Sequence, residues 1–273
     1  MRLGRIGYVN CYPVYGAIDA GVVAAPATLV TGTPAELNDR LADGRLDVSV
    51  ISAVAYARHA ADFELLPDLA ISSDGPVRSV LLFSQRSPER LDGARVLVST
   101  SSRTSVELLE VLARDHWKVA LETAPAPTEP GDLDGLAGAR HDGVLVIGDA
   151  ALLLSARHAY PHVTDLGAAW KAWTGLPFVF AVWAARRAVD RRAVHDVHRA
   201  LLASRKWGLA HLDDLAARAS AATGVDAARC RAYLGGLDYG LSYRHLAGLT
   251  DFFRRLAARG AVPDGTLSFL GAA

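Results

Sequence analysis

Val77-Arg78-Ser79-Val80-Leu81-Leu82-Phe83 and Phe178-Val179-Phe180-Ala181-Val182-Trp183 are long strand-like runs that interrupt an otherwise regular alternation of short strands and amphipathic helices. The alternation rests on β-branched runs at 2–9, 28–31, 47–51, 95–99 and 144–147, each followed by a helical pattern. It predicts an α/β protein with a mostly parallel sheet. The two long runs read as crossings between two lobes. The intervening residues carry their own strand-and-helix series, and the chain after Arg186 is almost wholly helical. The expected architecture is a discontinuous first lobe, 1–84 and 179–273, an inserted second lobe, 85–178, and a ligand cleft between hinged lobes.

Length agrees with this division, because single hydrophobic cores stop growing near about 250–300 residues and this chain has 273. A composition of 51% hydrophobic and 21% charged residues belongs to a folded protein. Lys plus Arg equals Asp plus Glu at 29 each, so no net field draws nucleic acid or anionic lipid. A small molecule is the expected partner, and oligomeric state has no signature. The stretch Met1–Asn10 shows no signal-peptide pattern, and no run approaches the ~20 apolar residues of a membrane span. A cytoplasmic protein is expected, with Cys11 and Cys230 as reduced thiols.

Thr33-Pro34-Ala35-Glu36 supplies an N-cap, a helix-opening proline and a capping-box glutamate, and Gly44 closes that helix. Its role is structural. Chemistry is sought at the other strand-to-helix turns, since ligands of open α/β sheets bind beyond the carboxyl ends of strands. Asn10, where the first strand ends before Pro13, is either a helix cap or an uncharged amide facing the cleft. The turn Ser99-Thr100-Ser101-Ser102-Arg103-Thr104-Ser105 opens an apolar helix, and its free amides and hydroxyls make a candidate carboxylate cradle. Arg103 either completes that cradle or is solvated. Ser52 and Asp149 are natural N-caps. Asp149, after Gly148, is expected to spend its charge on the helix it opens, whereas Ser52 stays open as cap or ligand contact. Ser79 points into the cleft or away from it. The Pro-rich stretch 124–130 reads as a surface loop.

The nine histidines form no HExxH arrangement, and His195 and His198 read as a solvated helix face. Neither cysteine has a histidine nearby in sequence, and no Gly-x-Ser-x-Gly elbow or phosphate-binding glycine loop is present. No metal and no cofactor are expected.

Five segments, taken in order, resemble the chorismate dehydratase family of menaquinone biosynthesis. They are Gly4-Arg5-Ile6-Gly7-Tyr8-Val9-Asn10-Cys11-Tyr12-Pro13, Ser73-Asp74-Gly75-Pro76-Val77-Arg78-Ser79-Val80, Ser102-Arg103-Thr104-Ser105-Val106-Glu107-Leu108-Leu109, Leu145-Val146-Ile147-Gly148-Asp149-Ala150-Ala151-Leu152 and Trp173-Thr174-Gly175-Leu176-Pro177-Phe178-Val179-Phe180. The resemblance implies a two-lobed fold of the type II periplasmic binding proteins and a hydro-lyase acting on chorismate. It makes Asn10 and Ser79 the polar groups nearest the reaction. Ser52, Thr100, Ser101, Ser102, Arg103, Thr104, Ser105, Gly148, Asp149, Pro177 and Phe178 are then expected around the substrate, with Trp173 to Phe178 walling the cleft. A related naphthoate synthase of the same pathway shares the fold and is the nearest alternative; a non-catalytic solute-binding protein is the alternative from another class.

Overall fold

The computed structural model describes residues 1–136 and 138–271. Among them, ten strands form two five-stranded sheets. The first holds β1 (Arg2–Ile6), β2 (Thr28–Gly32), β3 (Val48–Ser52), β4 (Phe63–Ser73) and β10 (Phe178–Arg186), in the order β2-β1-β3-β10-β4. The second holds β5 (Val80–Ser84), β6 (Ala94–Ser99), β7 (Leu121–Ala126), β8 (Gly143–Ile147) and β9 (His162–Asp165), in the order β7-β6-β8-β5-β9.

The central strands explain why the apolar runs are unbroken. Every residue of β3, β5 and β8 is buried, as strands covered on both faces require. The edge strands β2, β7 and β9 are partly exposed and more polar. β1 lies parallel to β2 and β3, and β6 to β7 and β8. β10 runs antiparallel to β3 and β4, and β5 to β8 and β9. The mostly parallel expectation holds in each of the two sheets, where four strands share one direction and the strand that arrives from the other lobe enters reversed. The expected lobe limit at residue 84 is corrected, because β5 pairs wholly within the second sheet. Phe178, expected as the last residue of the second lobe, instead pairs with Ser73 in the first sheet.

The first crossing, 74–79, is pinned by Asp165, which accepts from the backbone N–H of Val77 at 3.1 Å and of Arg78 at 2.6 Å. The helix Pro34–Ala42 begins with the capping box read from sequence. The long helix Arg191–Ala210 packs on Tyr12–Asp19, and a Cβ at Gly208 would lie 2.1 Å from the Pro13 carbonyl oxygen, so only glycine permits that approach. Among the described residues no helix is long and apolar enough to cross a membrane.

Candidate functional site

A narrow cavity of about 50 Å³ lies where the two sheets' strand ends face each other. Ile6 at the end of β1, Ser52 at the end of β3 and Ile147 at the end of β8 contribute to its wall, with Phe180 and Val77 adding apolar surface. Its polar lining is Tyr8, Asn10, Ser52, Ser79, Ser102 and Ser105, and among the described residues no His, Asp, Glu, Lys or Arg side chain lines it. A larger groove of about 610 Å³ lies between Tyr56, Phe253 and Pro263, but none of the buried unpartnered polar atoms opens into it.

Asn10 is the informative residue. It sits in a short 3-10 turn, Val9–Cys11, and makes no cap hydrogen bond for that turn or for the following helix. Its Oδ1 is buried without a partner. Buried acceptors are nearly always satisfied, and leaving one bare costs about 1–3 kcal/mol. Such an atom at a cavity marks Asn10 as a candidate ligand contact.

Ser52 lines the cavity and also caps its helix, accepting from Ala55 N–H at 3.2 Å. The Asn38 amide, which sequence reasoning passed over, fixes it by accepting from Ser52 N–H at 2.9 Å and donating to its hydroxyl at 3.1 Å. Ser79 faces the cavity, and its backbone carbonyl accepts from Gly148 N–H at 2.8 Å.

The turn expected as a carboxylate cradle is largely occupied with its own structure. Ser102 caps the helix Arg103–Val111 through Ser105 N–H at 3.2 Å, and Ser102 and Ser105 reach the cavity together. Ser101 donates to Glu129 at 2.5 Å, and Thr104 accepts from Val54 N–H at 3.0 Å. Arg103 pairs with Asp39 at 2.7 Å, and Thr100 is exposed. These four lie off the wall, as do Pro177 and Phe178. Phe178 is buried against Phe252 and Trp170, with ring centroids 4.9 and 5.2 Å away, and Phe180 takes the wall position instead.

Asp149 departs from its expected role. The helix Gly148–Ala156 has no side-chain cap, and the Asp149 carboxylate reaches Val9 N–H in the other lobe, at 3.1 and 3.4 Å from its two oxygens. Burial pushes this carboxyl up to about 7, helped by the nearby Glu129 charge and opposed by the Val9 hydrogen bond. Gly148 has φ 61°, and a Cβ there would meet the Tyr8 ring at 2.8 Å. Tyr8 donates from its hydroxyl to Glu129 at 2.7 Å; burial first, then that carboxylate, holds its phenol far above the usual range. Glu129 lies in the Pro-rich stretch read as a surface loop, and only its position three residues before Asp132, with which it forms a capping box, marked it in sequence. Cys11 is fully buried and its thiol is pushed up to about 12 by desolvation, so it supplies no thiolate near neutrality.

The wall can therefore bind an anion without offering a countercharge. Residues at the amino-terminal ends of the helices Arg103–Val111 and Gly148–Ala156 line it, bringing their positive dipole ends.

Comparison with known proteins agrees with this architecture. The chain is 34% identical over 241 residues to a protein of Thermus thermophilus named chorismate dehydratase, covering 82% of this chain and 84% of that one. A crystal structure of an Archaeoglobus fulgidus protein superposes with a TM-score of 0.79 at 19% identity, over 96% of this chain and 98% of the other. The alkanesulfonate-binding protein of Xanthomonas axonopodis pv. citri, bound to MOPS, gives 0.71 at 14% identity, over 98% and 95%. The fold is thus that of the periplasmic binding proteins, two lobes around a cleft. A family model described as menaquinone biosynthesis matches residues 1–258, and the chain belongs to that family.

Proposed function

We propose that this protein is a chorismate dehydratase, a hydro-lyase that converts the small molecule chorismate to 3-enolpyruvyl-oxybenzoate and water. The observation that carries the reading is the cavity wall: hydroxyls, helix amino termini and one unpartnered amide, with no proton acceptor among its ionisable side chains. The family and the name of the Thermus thermophilus relative support it.

Chorismate presents a ring carboxylate and an enolpyruvyl carboxylate. Two helix amino termini and the hydroxyls of Ser52, Ser102 and Ser105 suit such a dianion. The wall provides no general base, so the enolpyruvyl carboxylate, tethered beside ring carbon three, takes the proton from that carbon. The electron pair of the broken C–H bond becomes the new ring double bond, the bond from carbon four to its hydroxyl breaks, and the enolpyruvyl carboxyl passes the proton it took to the departing hydroxyl, which leaves as water and restores the carboxylate. Tethering gives a weak base a high effective concentration. The Asn10 amide orients the enolpyruvyl arm by donating from Nδ2, its unpartnered Oδ1 accepts from the ring hydroxyl that departs, and the Ser79 hydroxyl sits with it at the reacting edge.

A cavity of about 50 Å³ is smaller than the roughly 150 Å³ that suffices for benzene, so access requires the lobes to part. Reclosure then excludes bulk water around the reacting carboxylate. Purified protein given chorismate, with no added metal or nucleotide, is expected to form 3-enolpyruvyl-oxybenzoate without releasing pyruvate, as read by mass spectrometry. Chorismate binding without turnover would refute the enzyme reading in favour of a solute-binding protein.

A further inference from the structure

The turn that presents Asn10 is held from the opposite lobe at two points. Glu129 Oε1 accepts from the Tyr8 hydroxyl at 2.7 Å and from the Ser101 hydroxyl at 2.5 Å, so it ties the residue two before Asn10 to the second lobe. Asp149 accepts from Val9 N–H at 3.1 Å and so ties the residue one before Asn10. Neither carboxylate lines the cavity. Gly148 completes the contact, because the Tyr8 ring lies where any side chain at that position would stand.

Within its own lobe the turn is held by backbone and packing alone: no side chain caps it, Cys11 N–H donates to the Tyr8 carbonyl at 3.2 Å and Tyr12 N–H to the Val9 carbonyl, and Val9 and Cys11 are buried. Glu129 is itself fixed, its N–H donating to Asp132 at 2.9 Å. The two carboxylate anchors of the Asn10 turn are on the far side of the cleft, and parting of the lobes removes both.

We propose that Glu129 and Asp149 are positioning residues for the dehydration, gripping the Tyr8–Val9–Asn10 turn across the cleft so that Asn10 is in place only when the lobes are closed. The proposal rests on reading this chain as a chorismate dehydratase. It makes lobe closure a condition for chemistry and gives two carboxylates outside the cavity a role that acts through Asn10. An oxygen acceptor is what the Val9 N–H needs, and a full negative charge is not.

Steady-state kinetics on chorismate with the full chain tests this. Wild-type protein is assayed first, and absence of turnover would overturn the dehydratase reading and the proposal together. With wild type active, Asp149→Ala is expected to lower kcat by on the order of 10²-fold with little change in KM, the scale of a misplacement of about 1 Å in a catalytic group. Asp149→Asn keeps an oxygen for Val9 N–H and is expected to recover most of that loss. In an Asn10→Ala background, Asp149→Ala is expected to cost almost nothing further, because both changes remove the same positioned amide.

Three results would overturn the proposal while leaving the dehydratase reading intact. One is Asp149→Asn as inactive as Asp149→Ala, which makes the charge or the proton the requirement. Another is losses in the two backgrounds that multiply. The third is a lowered melting temperature with kcat unchanged. Should Asp149→Ala fail to fold, Glu129→Ala carries the same test, with Glu129→Gln as the variant that keeps an acceptor for Tyr8.

Discussion

Replacing Asp149 by Asn should make the protein more stable as pH rises, which inverts the usual outcome of deleting a hydrogen-bonded carboxylate. In the folded protein burial raises the Asp149 carboxyl from an ordinary 3.8 to about 7, and the Glu129 charge adds to this against the opposing Val9 hydrogen bond. Below about pH 3.8 the group is protonated in both folded and unfolded chains and is neutral to stability. Between 3.8 and 7 only the unfolded chain releases the proton, so stability falls as pH rises, and above 7 the loss is complete. A carboxyl that titrates near 7 instead of 3.8 costs the fold about 4 kcal/mol at pH 8, at roughly 1.4 kcal/mol per pKa unit. Asparagine keeps the acceptor for Val9 N–H and carries no charge to desolvate. The melting temperature of Asp149→Asn relative to wild type should therefore widen by roughly 10 °C between pH 4.5 and pH 8, at about 2–4 °C per kcal/mol for a protein of this size. Thermal melts followed by circular dichroism across that range read the effect. A difference that stays flat with pH, or that reverses sign so that wild type gains stability above pH 5, would refute the buried-carboxyl reasoning.

Asn10→Ala should lower kcat by on the order of 10²-fold while chorismate affinity by titration calorimetry stays close to wild type. The same change should leave the melting temperature level or slightly raised, because it deletes a buried acceptor without a partner. Gly148→Ala places a side chain at φ 61° against the Tyr8 ring and should cost about 3 kcal/mol in denaturant unfolding, with turnover falling alongside. Small-angle scattering should show the protein's dimensions change when saturating 3-enolpyruvyl-oxybenzoate is added, because a cavity of about 50 Å³ cannot take it without movement of the lobes; unchanged dimensions would contradict that hinge.

Locally encoded features were legible in the sequence. The capping box from Thr33 to Glu36 lies within one helical turn and forms as read. The strand runs before Asn10, Ser52 and Gly148 carry enough buried aliphatic residues to be read as strands, and their ends converge on the cavity. Strand β4 was not legible, because Pro67 and Asp68 interrupt it and Asp68 takes φ 56° there. Long-range partners were the other blind spot. Asp149 has the residue type and position of a cap, yet its partner Val9 is 140 residues away. Glu129 sits in a Pro-rich stretch that reads as loop, and its bonds reach 121 residues back to Tyr8. His198, read as solvated, instead meets the Pro67 carbonyl at 2.7 Å. At the aromatic wall the reading missed by one strand period: Phe178 and Phe180 are two apart, and a bulge between Val179 and Ala181 separates the buried ring from the one at the cavity.

The interleaving of the two sheets dictates an order of events on the ribosome. β4, eleven residues long, has its sheet neighbour in β10, which begins at Phe178, and its outer edge meets Asp238 and Phe269. Until that downstream chain emerges, β4 exposes both of its backbone edges, the condition that invites pairing with a neighbouring nascent chain. The second sheet has all its strands once Asp165 is out, so it can form first and act as the platform on which the earlier half of the polypeptide waits. Chains truncated before Phe178 should accordingly aggregate through β4, and slow translation between Asp165 and Arg186 should favour recovery of native protein.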